Sequence, residues 1–392
     1  MAEGEPSHSF VIRLEKGMSS EFNEIRPYRD EELPEVMRRM ADHPWILNGI
    51  SQLSFKRLPK IFKPVLRGMM KRRIKKKLTS LKSVEDFQRE IIVKEVLDRI
   101  ISKTMTSITS TGLENLSKDK SYVFISNHRD ITLDSAFLNY FLYQNDYIVS
   151  EIAFGDNLLI NDLVSDLIRV NRAFIVKRNL PIREQIKASI ELSAYIWDTI
   201  QSNRSIWIAQ REGRAKDGND VTNPAIIKML YLSNRKSGIS FNEFIKRCRI
   251  VPVSISYEFD PCDRMKAWEL YRKNVKGGHE KGKFEDLNSM YAGITGKKGR
   301  VHYDFGTPLD GEFENEKSVA DAIDFQIHNT YKMWPSNYIG YDHSHNSKKY
   351  SQYYTPEEEE ILTKRLRRLP PEVRKIAYES YGRPLVNREK DT

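Results

Sequence analysis

The chain has 392 residues with a formal net charge of +10; 39% of the residues are hydrophobic and 30% charged. That is enough apolar material for a real core, and it contains no uninterrupted apolar run of the length a bilayer-spanning helix needs. Two cysteines, Cys248 and Cys262, exclude a disulfide framework and a zinc site, and MAEGEPSHSF lacks the basic and apolar regions of a secretory signal. The expectation is a soluble protein of the reducing cytoplasm.

Residues 1 to about 20 are polar. FNEIRPYRDEELPEVMRRMADHPWI reads as an acidic turn leading into a helix. The charge is concentrated next. From His43 to Val84 there is no Asp or Glu but twelve Lys and Arg, so this stretch carries +12 and the remainder sums to −2. Within it, residues 55–78 place Phe55, Leu58, Ile61, Phe62, Val65, Leu66, Met69, Met70 and Ile74 near helical spacing, with bases between. Pro59 and Pro64 are expected to kink or interrupt that helix. VEDFQREIIVKEVLDRII has the pattern of an ordinary amphipathic helix.

From about residue 105 the texture changes. Strand-like runs (SYVFIS, YIVSEIAF, AFIVK, SIWIAQ, RIVPVSISY, RVHYDFG) alternate with helical patterns (TLDSAFLNYFLYQ, LINDLVSDLI, PIREQIKASIELSAYIWDTIQ). The alternation predicts an α/β fold, a central mixed sheet flanked by helices, with helical N- and C-terminal extensions. After about 335 a Tyr-, His- and Ser-rich loop is expected. TPEEEEILTKRLRRLPPEV follows as a helix, with Thr355 as N-cap, Pro356 in the first turn, acids first and bases last.

SNHRDITLD (126–134) and YDFGTP (303–308) contain the HRD and DFG triplets of a protein kinase. The spacing excludes one. Ser135 stands where a catalytic loop needs Asn, DFG lies more than 170 residues downstream, and no Gly-rich loop precedes HRD. His128 instead leaves a strand with an acid following. An imidazole whose other nitrogen is held by a carboxylate can take a proton from an alcohol. With no G-x-S-x-G elbow in the chain, the alcohol would belong to the substrate. A His at a strand end is more often structural than catalytic, so the pair alone assigns nothing.

Three later blocks accompany it: NRAFIVKR (171–178), SIWIAQREGRAKDG (205–218) and RIVPVSISYE (249–258). In this order the four blocks resemble the glycerolipid acyltransferase superfamily, which includes the glycerol-3-phosphate and 1-acylglycerol-3-phosphate acyltransferases. GLENL and FGTPL look like the edges of the domain, and the resemblance covers roughly 108–310. It implies His128 as general base and Asp134 as the holder of its tautomer. Arg178, Lys177 and Arg172 would bind the acceptor's phosphate. Glu212, Gly213 and Arg214 would shape that site, and Pro252 would wall the acyl or acceptor pocket. No metal or other cofactor is implied, because the thioester donor is already activated. The chain departs from the family in one place: five residues, not four, separate His128 from Asp134, so the pair must span the turn before a helix. Asp130 is the competing partner.

Each block also has a plainer reading. Arg172, Lys177 and Arg178 fit a solvated strand edge, Glu212-Gly213 a simple turn, and Pro252 a strand start or bulge. The remaining histidines form no metal-ligand spacing.

The resemblance implies an O-acyltransferase of phospholipid biosynthesis. It would move a fatty acyl group from acyl carrier protein or acyl-CoA to glycerol 3-phosphate or 1-acylglycerol 3-phosphate. A lyso-aminolipid acceptor, or a catalytically inactive membrane- or nucleic-acid-binding protein, is the alternative. Residues 1–104 would be a helical, basic, membrane-associating region, 105–335 the acyltransferase domain and 336–392 a C-terminal loop and helices. Residues 55–78 would draw the protein to an anionic membrane, placing it peripherally on the inner face of the cell membrane. They would equally suit an acidic carrier protein, or pack their apolar face on the catalytic domain. Nucleic acid is the rival partner for a +12 stretch, but the stretch lacks the interleaved aromatics of a single-strand binder, and no nucleic-acid partner is expected.

Overall fold

The computed structural model describes residues 22–44, 63–178, 180–278, 282 and 284–391. The fold is α/β, a central mixed sheet with flanking helices. Its strands are β1 Met105–Thr111, β2 Val123–Ser126, β3 Glu151–Gly155, β4 Ala173–Val176, β5 Ile206–Ala209, β6 Ile250–Tyr257 and β7 Gly299–Phe305. The chain divides into two compact units, residues 1–92 with 151–195, and residues 93–150 with 196–392.

In the larger unit the strand order is β1-β7-β6-β2-β5. β2 lies between β5 and β6 and is parallel to both, while β6 and β7 are antiparallel. VFIS and IVPVSISY are buried at every position, as expected of strands covered on both faces, which read as continuous apolar runs rather than alternations. Pro252 sits inside β6, paired with Ile125, and its carbonyl accepts the Gly306 N–H at 2.9 Å. It therefore marks neither a strand start nor a bulge.

β1, MTSITST, has no apolar run and the sequence pattern passes over it. Parallel pairing with β7 and polar side chains hold it. Thr109 and Thr111 hydroxyls meet the two ring nitrogens of His302 at 2.8 and 3.1 Å, and Thr111 donates to Asp304 at 2.6 Å.

The smaller unit contains the parallel pair β3 and β4. It also contains helices Leu33–Asp42, Lys63–Thr79, Asp162–Val170 and most of Ile182–Gln201. Of the basic segment 55–78, residues 55–62 lie outside the described residues. Pro64 lies within the described helix Lys63–Thr79, and Pro59 is among the residues not described. Leu78 is buried with Leu33, Val36, Met37 and Met40, and Ile74 packs on them. Met69 is exposed, as are Lys71, Arg72, Arg73, Lys75 and Lys76. Part of the apolar stripe is thus spent on the fold while these five bases face outward. The stretch VEDFQREIIVKEVLDRII is helical, but Gln88–Leu97 is wound as a π-helix rather than an ordinary α-helix.

The Tyr-, His- and Ser-rich segment after 335 is a helix, Pro335–His345, not a loop. Its composition hides a face that packs on the C-terminal helix Pro371–Asp391, with close backbone approach at Gly340 and Gly382. A Cβ on Gly340 would lie 2.7 Å from the Tyr378 carbonyl oxygen, and one on Gly382 would lie 2.8 Å from the Tyr341 nitrogen. Pro356–Leu366 is the predicted helix, capped as predicted. Thr355 Oγ accepts the Glu358 N–H at 3.2 Å, and Glu358 returns a bond to the Thr355 N–H at 3.0 Å. Gly382→Val should force the two backbones apart and lower stability by about 1–3 kcal/mol, the usual cost of overpacking. Urea unfolding monitored by tryptophan fluorescence measures it, and an unchanged midpoint would refute the close crossing.

Candidate active site

β2 ends at Ser126, and the chain then makes a buried turn before the helix Leu133–Gln144. Asn127 anchors the turn. Its side chain accepts the Ile255 N–H at 2.7 Å and donates to the Ile255 carbonyl at 3.0 Å, tying it to β6. Asp130 starts the helix by accepting the N–H groups of Thr132 and Leu133 at 3.0 and 2.9 Å.

Asp134 is the second residue of that helix and is fully buried. Its Oδ2 lies 2.9 Å from His128 Nδ1 and accepts the backbone N–H groups of Arg129 and Asp130 at 2.5 and 2.9 Å. Its Oδ1 accepts the Tyr257 hydroxyl at 3.1 Å. Burial, with Tyr303 and Asp134 nearby, holds the Tyr257 phenol well above its usual range, so it remains a donor. A carboxylate with this many donors acts only as an acceptor. The proton at His128 Nδ1 therefore points at Asp134, and Nε2 carries the lone pair. The His128 ring stands edge-on to Trp207, with centroids 5.8 Å apart.

Asp130 does not pair with His128 in this arrangement. Burial and the neighbouring Asp134 raise its carboxyl above the usual range. Its carboxylate is so closely covered that a Cβ on Gly293 would lie 2.0 Å from Oδ2. The extra residue between His128 and Asp134 is absorbed in the turn, before the helix begins.

The sequence reading missed the supports of this turn. Arg129 is buried, pairs with Asp220 at 2.5 Å and lies over the Tyr331 ring. Asp220 also accepts from Asn127 at 3.2 Å. Lys266 donates to the Arg129 carbonyl at 2.7 Å and to Asp260. Arg129, Lys266, Asp260, Asp263, Tyr257 and Tyr331 are among the residues lining a cavity of about 40 Å³ behind the turn. Only Asn127 and Arg129 carried a signal, as neighbours of His128. The others come from distant positions with no motif.

Of the other predicted site residues in the larger unit, Glu212 is exposed and Gly213 takes φ +74 in open space, a turn conformation that favours glycine. Arg214 acts electrostatically on Asp130. Arg172, Lys177 and Arg178 belong to the smaller unit. Arg172 has φ +61, and burial lowers its pKa from the usual value despite Glu151. Lys177 is 2.6 Å from Glu24 and 3.6 Å from Glu191, and the hydrogen bond to Glu24 raises its pKa. Arg178 lies against Gly155, its backbone N–H donating to Asp156 at 3.1 Å. Among the described residues no group of three or more His, Cys, Asp or Glu is arranged to hold a metal ion.

At the end of a parallel strand of the α/β sheet, an imidazole is thus held by a buried carboxylate. Residues 107–256 match the model of the acyltransferase family. The chain therefore carries an acyltransferase domain. Among solved structures it is similar to the 1-acyl-sn-glycerophosphate (LPA) acyltransferase PlsC from Thermotoga maritima. The identity is 14% and the TM-score 0.35, over 76% of this chain and 92% of that chain. No curated protein sequence matches.

Lys298, fully buried, donates to Thr104 at 3.1 Å and to the Gly296 carbonyl at 2.9 Å. Burial lowers its pKa to about 8 from 10.5, with Asp130 opposing the shift. Below about 8 it is charged in both folded and unfolded chains; between about 8 and 10.5 the unfolded chain holds the proton the folded one has lost. Stability from this group therefore rises with pH across that window. Lys298→Met should flatten the rise in urea-unfolding free energy between these pH values, and an unaltered slope would contradict the assignment.

Proposed function

We propose that this chain transfers a fatty acyl group from an acyl thioester, carried by acyl carrier protein or CoA, to the hydroxyl of glycerol 3-phosphate or 1-acylglycerol 3-phosphate. The observation that supports it is the 2.9 Å bond between His128 Nδ1 and the buried Asp134, which leaves Nε2 as the base. His128 takes the proton of the acceptor hydroxyl as the oxygen attacks the thioester carbonyl. Collapse of the tetrahedral intermediate expels the thiolate, which recovers a proton from the imidazolium. Asp134 carries the imidazolium charge between these steps. Arg178, Lys177 and Arg172 bind the acceptor's phosphate, with Lys177 exchanging Glu24 and Glu191 for it. Glu212, Gly213 and Arg214 shape the acceptor site, and Pro252 backs it. A lyso-aminolipid acceptor would use the same base, its carboxylate meeting the cations instead.

In this reading the protein works on the cytoplasmic face of the cell membrane, held peripherally by the basic segment 55–78. No helix among the described residues is long and apolar enough to cross a membrane. The exposed Lys71, Arg72, Arg73, Lys75 and Lys76 support attachment by charge, each base near an anionic surface contributing on the order of 1 kcal/mol.

Three outcomes are expected. His128→Ala should lose about 10²–10⁴-fold in acyl transfer, measured with radiolabelled glycerol 3-phosphate and lysophosphatidic acid against both thioesters, while circular dichroism stays native. Asp134→Asn should fall in the same direction. A fully active His128→Ala protein would end the assignment. Replacing Lys71, Arg72, Arg73, Lys75, Lys76 and Lys77 with Gln should release the protein from anionic vesicles in sedimentation; undiminished binding would remove the segment from the membrane.

A further inference from the structure

We infer that the central strands end on a buried hydration site, in which water held by Gln210, Asp220, Thr222 and Ser254 fixes the turn that carries His128. The site stands on the fold; its effect on turnover rests on the acyl-transfer reading above.

Among the described residues eight buried side-chain atoms have no protein partner. Five of them belong to these four residues: Gln210 Nε2 and Oε1, Asp220 Oδ1, Thr222 Oγ1 and Ser254 Oγ. The residues are 0%, 1%, 2% and 0% exposed. Buried polar groups in native proteins find a partner in the chain or in ordered water.

Strand register brings them together. Ser126 pairs with Ala209 and with Val253, so Asn127, Gln210 and Ser254, one residue further along β2, β5 and β6, stand in one row. The Gln210 N–H continues the ladder to the Ser126 carbonyl at 2.8 Å. Asn127, in the middle of the row, donates to Asp220 Oδ2 at 3.2 Å. The Asn223 N–H donates to the Gln210 carbonyl at 2.9 Å, which brings Thr222 alongside.

The chemistry selects water. Gln210 offers donors as well as an acceptor, the two hydroxyls can act as either, and Asp220 Oδ1 only accepts. Water both gives and takes hydrogen bonds, so it satisfies such a mixed set. A metal cation would meet the oxygens but leave the Gln210 N–H groups bare, and Arg129, 2.5 Å from Asp220, already answers the carboxylate charge. Asp220 is the link to His128. Its Oδ2 holds Asn127 and Arg129, the residues on either side of the imidazole, and its Oδ1 is left for the water. On the other side the Thr222 N–H donates to Asp324 at 2.8 Å and the His328 ring meets the Asp220 carbonyl, which pins this loop to the helix Glu316–Thr330. The water therefore joins the strand ends, the loop and the catalytic turn.

The test uses the full chain. A high-resolution crystal structure should show solvent density within hydrogen-bond distance of the four side chains. The same atoms bonded to one another without solvent would overturn the inference. So would anomalous density there after a thallium(I) soak, which would make it a monovalent-cation site. Thr222→Val removes the hydroxyl and keeps the shape, whereas Thr222→Ser keeps the hydroxyl. By hydrogen exchange with mass spectrometry, residues 127–134 should exchange roughly tenfold faster in Thr222→Val, the size of one lost buried hydrogen bond. They should exchange at the original rate in Thr222→Ser, and the helix Pro356–Leu366 should be unchanged in both. An unaltered rate at 127–134 in Thr222→Val overturns the inference, as does equal acceleration of both segments, which would mean general destabilisation. Thr222→Val should also lose kcat for acyl transfer with KM held; an unchanged kcat removes the link to His128. Solvent and exchange as expected, in a chain inactive on every acceptor, would support the hydration site while refuting the acyl-transfer reading.

Discussion

A carboxylate taken out of water must find every one of its hydrogen-bond donors in the protein, and Asp134 is the place where this chain meets that demand. Four groups converge on its two oxygens: the His128 ring, two backbone N–H groups of the preceding turn, and the Tyr257 hydroxyl. The backbone donors require the turn 127–132 to fold back on the first turn of its helix. The hydroxyl requires the end of β6 to lie beside the end of β2. Removing any one donor leaves part of a buried charge unsatisfied, at a cost well above the net value of an ordinary hydrogen bond. The geometry of the loop, the order of the strands and the orientation of the imidazole are therefore one requirement.

A second ring of buried polar pairs holds the backbone of that turn from behind. Asn127 bonds β6 through Ile255, Arg129 pairs with Asp220, and Lys266 takes the Arg129 carbonyl. Burial raises the Asp220 carboxyl even with Arg129 beside it. These pairs contribute position rather than large net stability, since desolvation offsets most of their attraction. The base role proposed for His128 would need that positioning. Tyr381, on the C-terminal helix, donates to Asp263 at 2.8 Å, so the last helix of the chain lines the same small cavity as Arg129 and Lys266.

The outer strand β1 is held differently. Central strands are buried by apolar side chains on both faces, whereas β1 is joined to β7 by hydroxyls on His302 and Asp304. Burial lowers the His302 pKa, with Lys332 adding to the effect, so the ring accepts and donates as a neutral group between two threonines. One sheet thus uses two chemistries, and only the apolar one leaves a periodic trace in sequence.

The sequence by itself determined the α/β class, because apolar runs flanked by helical periodicity have few other packings. It also determined the capped helix at Thr355 and the ordered blocks that mark the acyltransferase domain, since caps and motifs are local. The pairing of His128 with Asp134 across five residues was legible as a choice between two acids. Tertiary structure decided it: Asp130 is consumed in starting the helix and is covered by Gly293, while Asp134 receives donors from a strand more than a hundred residues away. Spacing on one segment carries no information about such a donor. The helix Pro335–His345 was hidden for the same reason, because its glycine face makes sense only against the C-terminal helix that closes on it. Which polar residues are buried, and therefore which must be paired, is a property of the packed chain.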